Sequence, residues 1–269
     1  MSIKLGDIGG AASALRRAVE LIPKDQPDYW DATVKLSEVY LAFGKNDKGK
    51  LDKELLDYVE KYTKDLLKRD ANSYDAYRLI GDLNYTKATE AYKDKHPEEG
   101  KALLNLAVEK YRKADGIKPA QQGVLMQLAR ALEGKAEFAE AETLFRRVID
   151  KDKTFQPAYT ELYRMFLFQN KLAEAEQVLK SASEANPKQF GYLVLLARHY
   201  LALGHRDQMI GVLNQIKGHA KEFDQAYLTV GDFYLSIGDG DTAIKEYKEG
   251  IAKDSKKKAQ YQKLSLIHI

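Results

Sequence analysis

The stretch YLTVGDFY, which runs from Tyr227 to Tyr234, decides how this chain folds. It is followed at fixed distances by Gly238, Ala243 and Tyr247. Residues of the same kinds recur every 34 positions through the preceding part of the chain. Going back through the chain, the position of Ala243 is occupied in successive periods by Met209, Ala175, Ala141 and Ala107. Each of these residues is followed four positions later by a large apolar or aromatic side chain. A fixed internal period of this length indicates a stacked repeat.

The spacing within one unit predicts a pair of helices. Tyr227, Val230, Gly231 and Tyr234 follow one another at steps of three, one and three, which places them on one helical stripe. A small residue is needed where two helix backbones approach closely, and the aromatic residues fill the gaps beside it. One helix pair cannot bury such a stripe alone, so neighbouring units must stack on it.

This 34-residue helix–turn–helix pattern, in which Gly231, Tyr234, Ala243 and Tyr247 hold fixed places, resembles the tetratricopeptide repeat. The resemblance implies an all-α, right-handed superhelical solenoid of antiparallel helix pairs. It also implies a protein–protein interaction scaffold that binds an extended peptide or a partner protein in a concave groove.

The first part of the chain follows the same plan with longer units. Successive units end at Pro23, Ala71 and Pro119. The two intervals between these residues are 48 positions each, longer than the 34 of the later repeats. The pattern predicts helices over Pro27–Phe43, Leu51–Arg69, Ser73–Lys93 and Glu98–Gly116. We expect one solenoid with a half repeat at 1–24, extended repeats at 25–72 and 73–121, four 34-residue repeats at 122–155, 156–189, 190–223 and 224–257, and a half repeat at 258–269.

The two half repeats suggest a piece of a longer array. Leu264, Leu266, Ile267 and Ile269 are apolar on a helix whose partner helix is missing. We expect this last helix, around Tyr261 to Ile269, to be poorly anchored or to self-associate through the open end. The alternative is that the last helix is a degenerate cap.

Composition excludes several classes of site and partner. The chain has 43 basic and 40 acidic residues, and this balance does not favour a nucleic-acid or membrane partner. Cysteine is absent, which excludes disulfides, thiolate nucleophiles and Cys-based metal sites. No apolar run is long enough to span a bilayer. None of these features fixes a compartment, so localisation stays unknown.

The sequence offers poor candidates for catalysis. None of its five histidines forms an H-E-x-x-H pair, and His199 and His205 flank a turn without sharing a helix face. We expect these histidines at the surface or in the groove. We therefore predict no catalytic residue, no metal site and no cofactor, and a protein that is not an enzyme.

The groove itself is predicted from the helix positions that face away from the packing stripe. One such position holds Glu38, Asp82, Arg130, Arg164, Arg198 and Asp232. The three arginines recur with the period of the repeat and are expected to stack as a ladder, next to apolar residues that include Phe168, Leu195 and Leu201. Such a band suits an extended peptide that carries a carboxylate, because arginine pairs with carboxylates in a bidentate manner.

Arg198 is the strongest of these candidates. It has no acidic residue three or four positions away, and Asp232 on the next repeat is its only evident partner. The alternative is a solvated groove with local ion pairs, in which Arg130 pairs with Glu133 and Arg164 with Glu161.

Two ligand sets known from similar repeat proteins do not match. The carboxylate clamp of chaperone-binding members and the asparagine ladder of glycosyltransferase-linked arrays are both absent at the corresponding positions. Three other functions stay open. They are a component of an oligomeric assembly, the recruitment region of an enzyme whose catalytic domain lies outside this chain, and nucleic-acid binding.

Overall fold

The computed structural model describes residues 8–45 and 49–253, and thirteen α-helices and no strands lie within these ranges. They form two compact units, residues 1–151 and 152–269. The helices of the first unit are α1 (Ile8–Leu21), α2 (Pro27–Phe43), α3 (Lys53–Arg69), α4 (Tyr74–Lys93), α5 (Pro97–Ile117), α6 (Gln122–Gly134) and α7 (Phe138–Lys151). Those of the second are α8 (Gln156–Phe168), α9 (Leu172–Ala185), α10 (Gly191–Ala202), α11 (Arg206–Gly218), α12 (Ala226–Ser236) and α13 (Gly240–Lys253).

The predicted helices of the extended repeats agree closely with α2 to α5, and no predicted end differs from the observed one by more than two positions. Local sequence explains several of their starts. The Ser73 hydroxyl accepts a hydrogen bond from the Ala76 backbone N–H, and the Asp52 carboxylate accepts one from Glu54. Pro27 and Pro97 open α2 and α5, where the missing N–H has no helical partner to lose.

The turns between paired helices share one backbone conformation. Ala136, Asn170, Gly204 and Gly238 occupy the same place in successive repeats and have positive φ angles of 62°, 55°, 74° and 82°. The N–H that follows each of them bonds back to a carbonyl in the preceding helix, as His205 does to Tyr200 over 2.9 Å. This is the left-handed helix end that glycine adopts most easily.

The residues that define the period are buried as predicted. Ala107, Ala141, Ala175 and Ala243 are at most 1% exposed, and so is Met209. Tyr111, Phe145, Leu179 and Leu213, four positions later, are equally inaccessible. The stripe that the repeat pattern predicts is therefore part of the buried core.

Two helical glycines, Gly81 on α4 and Gly231 on α12, leave space for a tyrosine ring rather than for a neighbouring backbone. A Cβ added to Gly231 would lie 2.1 Å from Cε1 of Tyr247, and one added to Gly81 would lie 2.5 Å from Cε1 of Tyr111. The space that the sequence pattern assigned to close helix approach is thus filled by an aromatic ring.

The last half repeat, 258–269, lies outside the described residues, so the expectation for Tyr261–Ile269 stays a prediction. None of the described helices combines the length and the apolar character needed to cross a bilayer.

Candidate functional site

The first helices of successive repeats lie side by side in the second unit. The rings of Tyr159 on α8 and Tyr192 on α10 are 6.2 Å apart, and the Tyr192 hydroxyl lies 3.5 Å from the Gln156 carbonyl oxygen. Further along, Arg198 on α10 reaches α12. The exposed side chains of α8, α10 and α12 therefore share one surface, which we call the second-unit face.

Arg198 lies on this face and contacts two residues of α12. Its Nη2 is 3.4 Å from the Ser236 hydroxyl, and its guanidinium lies 5.9 Å from the centre of the Phe233 ring. Among the described residues no carboxylate forms an ion pair with it, so the expected pairing with Asp232 is absent. Its charge is held against an aromatic ring and a hydroxyl and remains exposed to solvent.

Asp232 is hydrogen-bonded to Tyr247 and not paired with Arg198. Its carboxylate accepts a hydrogen bond of 2.7 Å from the hydroxyl of Tyr247, the tyrosine that packs on Gly231. Burial of the ring and the hydrogen bond to Asp232 raise the pKa of Tyr247, so the phenol stays protonated. Asp232 thus fixes the packing of α12 on α13 while its own side chain stays exposed.

Arg164 and its neighbours match the expected local pairing. Its Nη2 lies 2.9 Å from Glu161 on the same helix, and 58% of the Arg164 side chain is exposed. Such an exposed pair stabilises a helix only weakly, so the arginine can exchange this partner for another at little cost.

Large apolar side chains are exposed beside these arginines. Phe168 is 75% exposed, Leu167 39%, Leu195 37% and Leu201 36%. On α10, Leu195, Arg198 and Leu201 follow one another at every third position, so the cation lies between two exposed leucines.

The corresponding position in the first unit is occupied by a closed polar network. The Arg78 guanidinium lies 2.6 Å from Glu38, 3.4 Å from Asp82 and 3.5 Å from Asp75, and only 17% of its side chain is exposed. Asp82 also accepts a hydrogen bond of 2.7 Å from Tyr111, which repeats the arrangement at Asp232. The spacing of the repeat does not predict this network.

Burial governs the protonation of this network. Burial raises the pKa of Asp82, although Tyr111, Arg78 and Gln127 favour its carboxylate form. Burial alone would lower the pKa of Arg78, but Asp82, Glu38 and Asp75 together raise it. Arg78 is therefore charged, and its ion pairs with Glu38, Asp75 and Asp82 occupy its guanidinium.

Arg130 belongs to the first unit. Its Nη1 donates a hydrogen bond of 2.8 Å to Gln127, one turn earlier on α6. The continuation of the ladder from Arg130 to Arg164 stays a prediction, whereas Arg164 and Arg198 both lie exposed in the second unit.

His199 was expected at the surface or in the groove, and this expectation is wrong. The side chain is 3% exposed, next to Tyr163 and Tyr200, with ring centres 6.0 and 6.1 Å away. The repeat period carries the signal that was missed, because the equivalent residues of the two adjacent repeats, Met165 and Phe233, are buried and apolar. His205, by contrast, is exposed.

Within residues 8–45 and 49–253, no three histidine, aspartate or glutamate side chains converge in a way that could hold a metal ion.

Comparison with known proteins supports the architecture. No protein-family model matches the chain, and no curated protein matches it either. Among solved structures, a tetratricopeptide-repeat protein of Thermus thermophilus is 21% identical, with 73% of this chain and 92% of that one covered and a TM-score of 0.58. The fold is that of a tetratricopeptide-repeat array. A tetratricopeptide-repeat protein of Parabacteroides merdae agrees over 97% of this array and 93% of its own length, at 16% identity and a TM-score of 0.50.

Yeast Tom70 has the same fold at 20% identity and a TM-score of 0.57. The match covers 96% of this array but only 49% of Tom70. At these identities the likeness concerns the fold of the array, and its ligand must be inferred from its own side chains.

Proposed function

We propose that this repeat array is a protein-interaction scaffold whose second-unit face binds an extended peptide. The central observation is the sequence Leu195, Arg198, Leu201 along α10, in which an exposed arginine without an ion pair among the described residues lies between two exposed leucines. Structural similarity to other tetratricopeptide-repeat proteins supports a scaffold in general terms.

The apolar part of the face favours a partner with apolar side chains. Leu195 and Leu201 flank Arg198 on α10, and Leu167 and Phe168 add exposed apolar surface at the end of α8. Burial of such side chains against a partner contributes about 25 cal/mol per Å² of apolar surface removed from water. Contiguous exposed apolar residues with a polar rim are typical of interaction sites.

The charged part favours an acidic residue in the middle of the peptide. Arg198 can hold a carboxylate through two parallel hydrogen bonds while its ring contact with Phe233 keeps it in place. Arg164 offers a second cation once it releases Glu161. We therefore expect a ligand in which an aspartate or glutamate is flanked by apolar residues.

A selection from a displayed random peptide library tests this proposal. The whole chain is immobilised, and the selected peptides should share an acidic residue with apolar neighbours. Binding of one selected peptide is then compared between the wild-type chain, Arg198→Ala and the control Arg206→Ala. Arg206 is a 72% exposed arginine on α11, outside the second-unit face.

Arg198→Ala should weaken this peptide at least about tenfold, which corresponds to about 1.4 kcal/mol. It should lower stability by no more than about 1 kcal/mol, because the guanidinium is exposed and its contact with the Phe233 ring is a single cation–π pair. Arg206→Ala should change neither quantity appreciably. Selected peptides without acidic residues, or equal affinity in both variants, would contradict the proposal.

A further inference from the structure

We propose that His199 makes the packing of the second unit sensitive to protons, so that helices α8, α9 and α10 loosen on acidification. This inference is independent of the proposed ligand. It concerns a residue whose side chain points away from the second-unit face, into the packing between the helices.

The position of His199 in the repeat is an apolar one. The residues at the equivalent place in other repeats, Ala131, Met165 and Phe233, are all at most 2% exposed. His199 is 3% exposed and fills the same place with an imidazole. The chain thus uses a titratable group where its own other repeats use alanine, methionine and phenylalanine.

The imidazole has an unsatisfied polar atom. Its Nε2 is buried and has no hydrogen-bond partner among the described residues. In the neutral ring this nitrogen can be an unprotonated acceptor, whereas in the imidazolium form both ring nitrogens are donors. Protonation would therefore bury a charged N–H without an acceptor, which folded proteins avoid.

The groups that face the ring do not supply an adequate counter-charge. Tyr163 approaches from α8 and Tyr200 from α10 itself, and both are phenols whose pKa burial raises. On α9, the Glu176 carboxylate accepts hydrogen bonds from the Tyr200 hydroxyl at 2.9 Å and from Lys180 Nζ at 2.7 Å.

The balance of these effects lowers the pKa of His199. Burial is the largest cause, and the charge of His205 acts in the same direction. Glu176 and the backbone of Leu172 oppose it without cancelling it. His199 is consequently neutral in the folded unit at pH values where an exposed histidine is already partly charged.

The sign of the stability change follows from this shift. Below the ordinary histidine pKa of 6.5 the unfolded chain binds a proton that the folded unit does not. The stabilisation is complete above that pH and is lost as the pH falls from 6.5 towards the folded-state pKa. Over that interval this one group lowers the folding equilibrium constant by up to about tenfold per pH unit.

Hydrogen exchange of the full chain, followed peptide by peptide, tests the proposal. Exchange is compared between pH values near 7.5 and near 5.5 and corrected for its intrinsic pH dependence, in wild type and in His199→Met, which copies the residue at Met165. His96→Gln is the matched control, because His96 lies in the first unit with 66% of its side chain exposed.

In wild type and in His96→Gln, the α8–α10 peptides should lose protection on acidification. In His199→Met their protection should stay constant over the same range. If His199→Met lost protection as wild type does, the proposal would be overturned.

A second measurement does not depend on any variant. The imidazole of His199 is titrated by NMR in the wild-type chain. A folded-state pKa below the ordinary value of 6.5 supports the proposal, and a value at or above 6.5 overturns it.

Discussion

The replacement Gly231→Ala tests the packing of a tyrosine on a glycine, which recurs in both units. The added Cβ would lie 2.1 Å from Cε1 and 2.5 Å from Cδ1 of Tyr247. The ring cannot easily retreat, because Tyr247 is 3% exposed and its hydroxyl is held by Asp232 at 2.7 Å. The three atoms nearest to the new methyl group, Cε1, Cδ1 and Cζ of Tyr247, belong to the body of a buried ring rather than to a flexible tip.

The expected free energy combines two opposing effects. Alanine is favoured over glycine in a helix interior by about 1 kcal/mol. Forcing an extra methyl group into a packed core costs about 1–3 kcal/mol. Displacing the tyrosine also weakens its hydrogen bond to Asp232, which adds about 1 kcal/mol. We therefore expect Gly231→Ala to be destabilising by about 1–3 kcal/mol, despite its better helix propensity.

Urea unfolding followed by far-ultraviolet circular dichroism measures this change. Gly211→Ala on α11 is the matched control, because an added Cβ there meets no atom within 4 Å. That variant should gain up to about 1 kcal/mol. In a Tyr247→Leu background the cost of Gly231→Ala should largely disappear. If Gly231→Ala were as stable as Gly211→Ala, the reasoning about the ring would be refuted.

The remaining predictions use other contacts. Gly204→Ala should lower the free energy of unfolding, measured in urea, by about 1 kcal/mol. The φ angle there is +74° and an added Cβ would meet no atom within 4 Å, so the change adds only backbone strain. Ala136→Gly, at the equivalent turn with φ of 62°, should raise the free energy of unfolding by up to about 0.5 kcal/mol. If both changes raised it, or both lowered it, backbone strain would not be the cause. Arg78→Ala should cost about 3 kcal/mol, since it leaves Asp82 buried without its cation. The exposed pair of Arg112 and Glu140 provides the control, and Arg112→Ala should cost less than about 1 kcal/mol.

The repeat period was enough to predict the helices and the buried stripe. Ala107, Ala141 and Ala175 are buried because helices in contact favour a small residue at that place, and Met209 is the exception among these units. The same period carries the left-handed turn from Ala136 to Gly238, although alanine and asparagine occupy it in two units. The helices, the buried positions and the left-handed turns depend on the backbone of the repeat, so the sequence period predicts them.

Side-chain partners were not predictable in the same way. The repeat positions predicted an ion pair between Asp232 and Arg198. The Asp232 carboxylate instead accepts a hydrogen bond from the Tyr247 hydroxyl, because Gly231 has no side chain and leaves space for the tyrosine ring. The network around Arg78 depends on Glu38, which belongs to a different helix far away in the sequence. Such pairings are set by the rotamers of neighbouring helices, which a spacing pattern does not specify.

A charge-exchange experiment tests the central claim most directly. Binding of a selected peptide and of its variant with lysine in place of the acidic residue is measured against wild type and Arg198→Glu. If Arg198 contacts that acidic residue, each single change should weaken binding, and the double change should restore part of it, with a coupling energy of about 1 kcal/mol or more. Additive effects, with no recovery in the double change, would contradict the assignment of Arg198 to the ligand.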